Sequence, residues 1–175
     1  MKARLILPAT ILFTVGVAAC ARLVGGAPPI HDITTDTNDP PLFVDILPLR
    51  AGARNSAVYG GSQVAALQQA AYPDIAPVDL MIAPAAAFAK ALATANAMGW
   101  ALVATDSSSG RIEATATTRV FRFRDDVVIR IRPRDGGSRL DIRSVSRLGG
   151  RDLGKNASRI RKFIVHLRDS PVKEH

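Results

Sequence analysis

FRFRDDVVIRIRPRDGGSRLDIRSVSRLGG, residues 121 to 150, places an apolar residue at nearly every second position through its middle. Val127, Ile129 and Ile131 alternate with Val128, Arg130 and Arg132, and Leu140 and Ile142 alternate with Arg139, Asp141 and Arg143. A period of two sends successive side chains to opposite faces, so each run predicts a strand with one apolar and one polar face. Asp135-Gly136-Gly137 between the runs supplies turn chemistry, which makes the two strands an antiparallel hairpin. Phe121 and Phe123, alternating with Arg122 and Arg124, extend the first strand by the same rule.

The pattern continues upstream. Ile112, Ala114 and Ala116 alternate with Glu113, Thr115 and Thr117, and Trp100 to Thr105 reads as a further strand behind the turn Asp106 to Gly110. Before it the period lengthens. Pro84 suits a helix first turn, Phe88, Leu92, Ala95 and Met98 form a helical stripe, and Gly99 is a natural C-cap. A shorter helix fits Gly61 to Ala71 through Val64, Leu67, Gln68 and Ala71, ended by Pro73. Ile160, Phe163, Ile164 and Leu167 restore a helical stripe at the end of the chain. Short connections between consecutive strands require antiparallel pairing. The expected fold is therefore α+β: a two-layer sandwich with an antiparallel sheet of four or five strands and helices packed on one face. It occupies residues 55–168 as one domain, with 169–175 as a tail. Residues 20–54, broken by Gly25-Gly26, Pro28-Pro29, Pro40-Pro41 and Pro48, carry no period and read as a tether followed by an extended segment on the domain surface.

The N-terminus has a different grammar. MKARLILPATILFTVGVAAC opens with Lys2 and Arg4 and runs apolar from Leu5 to Ala19. As a helix that run covers about 22 Å against a hydrocarbon core of about 30 Å, which suits a signal peptide over residues 1–19 better than a spanning helix. Val17-Ala18-Ala19-Cys20 resembles a bacterial lipobox, in which small residues fit the peptidase and the thiol accepts a diacylglycerol. The alternatives are an uncleaved anchor, opposed by Arg22, and a plain cleaved secretory signal. All three place the domain outside the cytoplasm, and the anchored readings place it on the extracytoplasmic, periplasmic face of a cell-envelope membrane. Cys20 is the sole cysteine, so there is no disulfide framework.

The charge is unevenly spread. Residues 20–110 carry 4 basic and 7 acidic residues, whereas residues 111–168 carry 16 basic and 6 acidic. By alternation Arg122, Arg124, Arg130, Arg132, Arg139, Arg143 and Arg147 share one sheet face with only Glu113 and Asp141. Such an excess repels itself at strand spacing unless solvated or matched by an anionic partner. Arg122, Arg130, Arg132 and Arg139 are accordingly expected on an exposed basic face suited to an anionic lipid or envelope polymer. The export signal argues against nucleic acid.

SRLGGRDLGKNASRI, residues 146 to 160, spaces Gly149, Gly154 and Lys155 nearly as a phosphate-binding loop does. That loop needs Ser or Thr after its Lys to hold Mg²⁺ and a parallel sheet around it; Asn156 and an antiparallel run stand here instead. Nucleotide binding is not expected. The glycines read as a tight strand-to-helix turn, with Asp152 or Asn156 capping the last helix. This stretch, the Asp125-Asp126 hairpin and the Arg143-Ser144-Val145-Ser146-Arg147 strand resemble the domain-of-unknown-function 1499 family of bacteria and plastids. The positions that carry the resemblance are Phe123, Asp125, Asp126, Arg143, Ser144, Ser146, Arg147, Gly149, Asp152, Leu153, Gly154, Asn156, Arg159 and Ile160. It covers roughly residues 28–168 and implies no activity.

No cofactor or metal centre is expected: His31, His166 and His175 are dispersed, and Cys20 is committed to lipid. No histidine stands ready as base for Ser144 or Ser146. Asp125 and Asp126, adjacent on a strand, point to opposite faces and do not form an acid/base pair. Asp125, Asp126, Arg143, Ser144, Ser146, Arg147, Asp152 and Asn156 are read as one network, anion-binding or structural. The leading expectation is a non-enzymatic lipoprotein with an anionic partner. The rivals are an enzyme centred on Arg143, Ser146, Arg147 and Asp152, and a lipid-binding module with a cavity between helix and sheet.

Overall fold

The computed structural model describes residues 27–118, 121–151 and 153–169. Cys20 and Asp152 lie outside the described residues. Six strands form one antiparallel sheet: β1 (Asp32–Thr34), β2 (Val78–Leu80), β3 (Ala101–Asp106), β4 (Arg111–Thr117), β5 (Arg124–Arg134) and β6 (Gly137–Ser146). The order is β1-β6-β5-β4-β3, and β2 pairs with β6 beyond the end of β1. The four long strands follow the alternation of the sequence, and the α+β fold stands. Gly136, with φ of 75°, closes the β5–β6 hairpin in the left-handed region that glycine occupies without strain.

Helices α1 (Gly61–Ala71), α2 (Pro84–Ala97) and α3 (Lys155–Asp169) accompany the sheet. Ile112, Ala114, Val127, Ile129, Ile131, Leu140 and Ile142 pack against α2 and α3 in one core. In α3 the stripe Ile160, Phe163 and Leu167 is fully buried, and Phe163 stacks on Trp100 at 5.4 Å. In α2 the stripe is displaced. Ala87, Ala91, Thr94 and Ala95 are the buried residues, while Phe88, Leu92 and Met98 are only partly covered. Small residues let the helix backbone approach the sheet, and the larger ones flank the contact.

The opposite face departs from the expected two-layer plan. It is covered by residues 36–57, a strap with one short 3-10 turn, Leu47–Arg50. Phe43 and Ile46 from the strap pack on Val128 and Val145 as a second, smaller core. The folded unit therefore begins near Ile30, not at residue 55, and only the segment before it can serve as a tether. β1 escapes sequence reading because it is only three residues long. Its free edge is closed by a side chain: Gln68 accepts from Thr34 N–H at 2.9 Å and donates to Thr34 C=O at 2.6 Å, standing in for a neighbouring strand.

The strap has no ladder, so its backbone groups need partners from elsewhere. The sheet supplies them. Buried Glu113 accepts the N–H groups of Val44 (2.8 Å), Asp45 (3.3 Å) and Ile46 (2.8 Å). Arg143, wholly buried, forks onto both oxygens of Asp32 at 2.9 and 2.7 Å and donates to the carbonyls of Pro41 (3.1 Å) and Ala57 (2.7 Å). Arg130, Arg132 and Arg139 converge on Asp36 and Asp141, and Arg130 and Arg132 also reach Asp39. The exposed basic face expected for these arginines is thus a half-buried, charge-paired surface under the strap. The missing carboxylates come from the strap, about a hundred residues earlier in the chain, which alternation within the strands cannot reveal. Both cores and the buried ion pairs lie between Ile30 and Leu167, so residues 27–169 form a self-contained unit.

Candidate functional site

The residues singled out in the sequence fall on two faces of the sheet and do not converge. Asp125 and Asp126 point oppositely, as strand neighbours must. On the helix side, Ser144 Oγ donates to Asn156 Oδ1 at 2.7 Å, and Asn156 Nδ2 donates to His31 C=O (2.9 Å) and to Ser146 Oγ (3.0 Å). Arg159 bonds Asn156, Ser144 and the Asp125 carboxylate. These are buried groups engaged with one another, which fastens the start of α3 to β6 and β1. Asn156 serves there as a bridge into the sheet, where a cap on the last helix was one expectation.

On the strap side, Asp126 is fully buried and takes Arg50, both forks of Arg147 (2.9 and 2.9 Å) and the Thr115 hydroxyl (2.9 Å). Arg147 also donates to Leu49 C=O at 2.6 Å. Arg143 belongs to a separate cluster with Asp32, Phe43 and Tyr59, its guanidinium 5.1 and 5.5 Å from the two ring centres. Burial first, and then the Asp32 carboxylate, push the Tyr59 hydroxyl up to about 12, against the lowering influence of Arg143. The enzyme cluster of Arg143, Ser146, Arg147 and Asp152 is therefore divided: Ser146 faces the helices, Arg143 and Arg147 face the strap, and Asp152 is outside the described residues. Among the described residues no group of three or more His, Cys, Asp and Glu side chains is arranged to hold a metal ion.

A cavity opens elsewhere, at the end of the sheet where β4 leaves, β5 begins and β6 ends. Its volume is about 580 Å³, and its lining includes Phe121, Phe123, Leu148, Leu153, Arg151 and Lys155, with Asp125 and Ser146 in the floor. Two turns build it. In the β4–β5 turn, Thr118 accepts Phe123 N–H on its hydroxyl (2.9 Å) and Arg122 N–H on its carbonyl (3.1 Å). This geometry leaves Arg122 at φ of 52° and stacks Phe121 on Phe123 at 5.7 Å. In the β6–α3 turn, Leu153 sits at φ of 53° between Gly149 and Gly154, which are also left-handed. Asn55 braces that turn by donating to Ser146 C=O (2.9 Å) and Gly149 C=O (2.8 Å). Arg122 and Leu153 are the only non-glycine residues with positive φ among the described residues, and both flank this cavity. Backbone strain of this kind gathers at sites that a fold holds for use.

Phe121 and Phe123 are not strand residues, as alternation had them: β5 starts at Arg124, and they stand 74% and 51% exposed. Leu148 (48%) and Leu153 (74%) join them. Four large apolar side chains in two turns, where small and polar residues are usual, is the signal that could have marked this site in the sequence. The floor carboxylate, Asp125, is matched by Arg159. The rim cations Arg151 and Lys155, and Arg122 and Arg124 beside them, have no carboxylate within 4 Å among the described residues. At the other end of the sheet, Ser108 and Ser109 hold the exposed Asp106 carboxyl well below the usual range.

The family described as Protein of unknown function (DUF1499) matches residues 32–167, and the chain belongs to it. A search of curated proteins found no match. No described helix is long and apolar enough to cross a membrane.

Arg147 and Arg132 separate internal from peripheral pairing. Arg147→Ala removes a fork from a buried carboxylate that keeps Arg50, a loss of about 2–3 kcal/mol, below the ~3–5 kcal/mol of a fully stranded buried charge. Arg132 is 39% exposed and shares its carboxylates with two other arginines, so Arg132→Ala costs about 0.2–1 kcal/mol. Thermal melts should show Arg147→Ala lowered by about 5–10 °C and Arg132→Ala by at most about 3 °C. Equal melting of the two variants would contradict the assignment.

Proposed function

We propose that this member of the DUF1499 family is a non-enzymatic envelope lipoprotein, anchored through Cys20, whose domain binds an anionic amphiphile at the end of its sheet. The ligand class is an acyl chain with a negatively charged head. The observation that carries this reading is the cavity itself. Its volume falls in the range of small-molecule sites, its walls are Phe121, Phe123, Leu148 and Leu153, and Arg151 and Lys155 stand at its rim. Apolar walls take the chain; the cations take the head. The left-handed turns hold these walls apart before any ligand arrives.

This moves the anionic partner from the sheet face to the sheet end. The face arginines already have carboxylates from the strap. A lipid cavity between helices and sheet, the form the sequence suggested, is also displaced, since Ala87, Ala91, Ile129, Ile142 and Phe163 fill that space.

Binding is tested on residues 27–169 with a fluorescent fatty acid and its neutral methyl ester. The acid should bind and the ester bind more weakly. Arg151→Gln with Lys155→Gln should weaken the acid by about tenfold or more, the equivalent of about 1.4 kcal/mol, and leave the ester unchanged. Equal affinity for acid and ester, or no binding of either, would contradict the reading. The anchor is tested separately. A metabolic fatty-acid probe should label the full chain and not Cys20→Ser; equal labelling of both would remove the lipoprotein part.

A further inference from the structure

The Phe121/Phe123 end of the domain carries more than a cavity. A second hollow of about 590 Å³ lies on the other side of the same two phenylalanines, lined by Leu49, Arg122, Arg124, Arg147 and Leu148 among others. The aromatic pair is therefore a ridge between two depressions, flanked by Arg151 and Lys155 on one side and by Arg122 and Arg124 on the other. Aromatic and leucine side chains at the tip with cations around them match a surface that enters the headgroup layer of an anionic bilayer.

The path of the chain points the same way. Ser146 N–H donates to His31 C=O at 2.9 Å, and β1 then runs with Asp32 opposite Val145 and Thr34 opposite Arg143. The polypeptide thus enters the domain beside Ser146, and Ser146 lines the first cavity. Twenty-six residues precede Ala27, among them the apolar run Leu5 to Ala19 and Cys20. A chain held in a membrane at Cys20, seven residues before Ala27, meets its own domain at this end of the sheet.

We infer that the Phe121/Phe123 end is a membrane-docking surface: its phenylalanines insert at the interface of an anionic bilayer while Arg122 and Arg124 engage the headgroups. The inference rests on the reading of the chain as membrane-tethered with an amphiphile site at this end. It adds an orientation, with the cavity mouth turned toward the bilayer from which its ligand would come.

The test uses the full chain reconstituted into vesicles with brominated acyl chains. One set is phosphatidylcholine alone and the other also contains phosphatidylglycerol. Phe121→Trp adds a reporter at the ridge, and Trp100, stacked on Phe163 in the core, serves as the internal unquenched reference. The reporter should be quenched in the anionic vesicles, much less in the neutral ones, and released as salt rises. Adding Arg122→Gln and Arg124→Gln should weaken docking roughly thirtyfold at low salt. Those two arginines are not in the wall of the first cavity, so the same pair of substitutions should leave binding of the soluble fatty-acid probe within about threefold. A reporter quenched equally in both vesicles, in neither, or without regard to Arg122 and Arg124 would overturn docking, whatever the probe does. Loss of probe binding by wild type with docking retained would overturn the amphiphile site and leave the surface assignment standing.

Discussion

Among the described residues Arg143 is the largest side chain with no exposure, and its charge is answered by Asp32, the carbonyls of Pro41 and Ala57, and two aromatic faces. A guanidinium taken out of water carries a penalty of several kcal/mol, recovered only when its donors find acceptors in good geometry. Every acceptor here comes from residues 32–57. The buried cation of β6 therefore requires the strap to be in place, and the strap, having no ladder of its own, requires the cation. Glu113 repeats the arrangement with opposite sign, gathering three N–H groups at residues 44–46. The sheet is closed on this side by charged side chains serving as backbone partners for a coil.

That arrangement changes what the charge of the sequence means. The acidic first half and the basic second half read as evidence of an anionic partner, yet they are largely each other's partner. Asp32, Asp36, Asp39 and Asp45 meet Arg143, Arg130, Arg132, Arg139 and Arg111 within one domain. Among the outward cations that remain, Arg122, Arg124, Arg151 and Lys155 gather around apolar side chains at one end, where charge and hydrophobic surface coincide. Neither feature alone marks a site, because exposed arginines and exposed leucines are both ordinary. Their coincidence at two strained turns is what sets this end apart.

The sequence was most legible where one period ran long enough. The β5–β6 hairpin, the helices at Gly61–Ala71 and Pro84–Ala97 and the stripe of α3 were readable from spacing and end signals, and so was the opposition of Asp125 and Asp126. Three things were not. β1 and β2 are three residues each, too short for alternation to register. The strap has no period at all, since side chains from 60 to 110 residues away satisfy its backbone. Phe121 and Phe123 obey the strand pattern but stand before the strand's first residue, where Arg122 takes a left-handed conformation that no pattern announces. Of the candidate residues, Ser144, Ser146, Asn156 and Asp125 did come together, whereas Arg143 and Arg147 belong to clusters whose other members, Asp32, Arg50 and Leu49, had gone unnamed.

The dependence of the strap on Arg143 is most directly measured by amide hydrogen exchange in Arg143→Lys, which keeps the charge and loses the fork. The N–H groups of Val44 and Ile46, held by Glu113, should exchange about a hundredfold faster than in wild type, while the paired amides of β5 and β6 and the interior of α3 keep their protection. Unchanged protection at Val44 and Ile46, or an equal loss across strap, sheet and helix, would contradict the account.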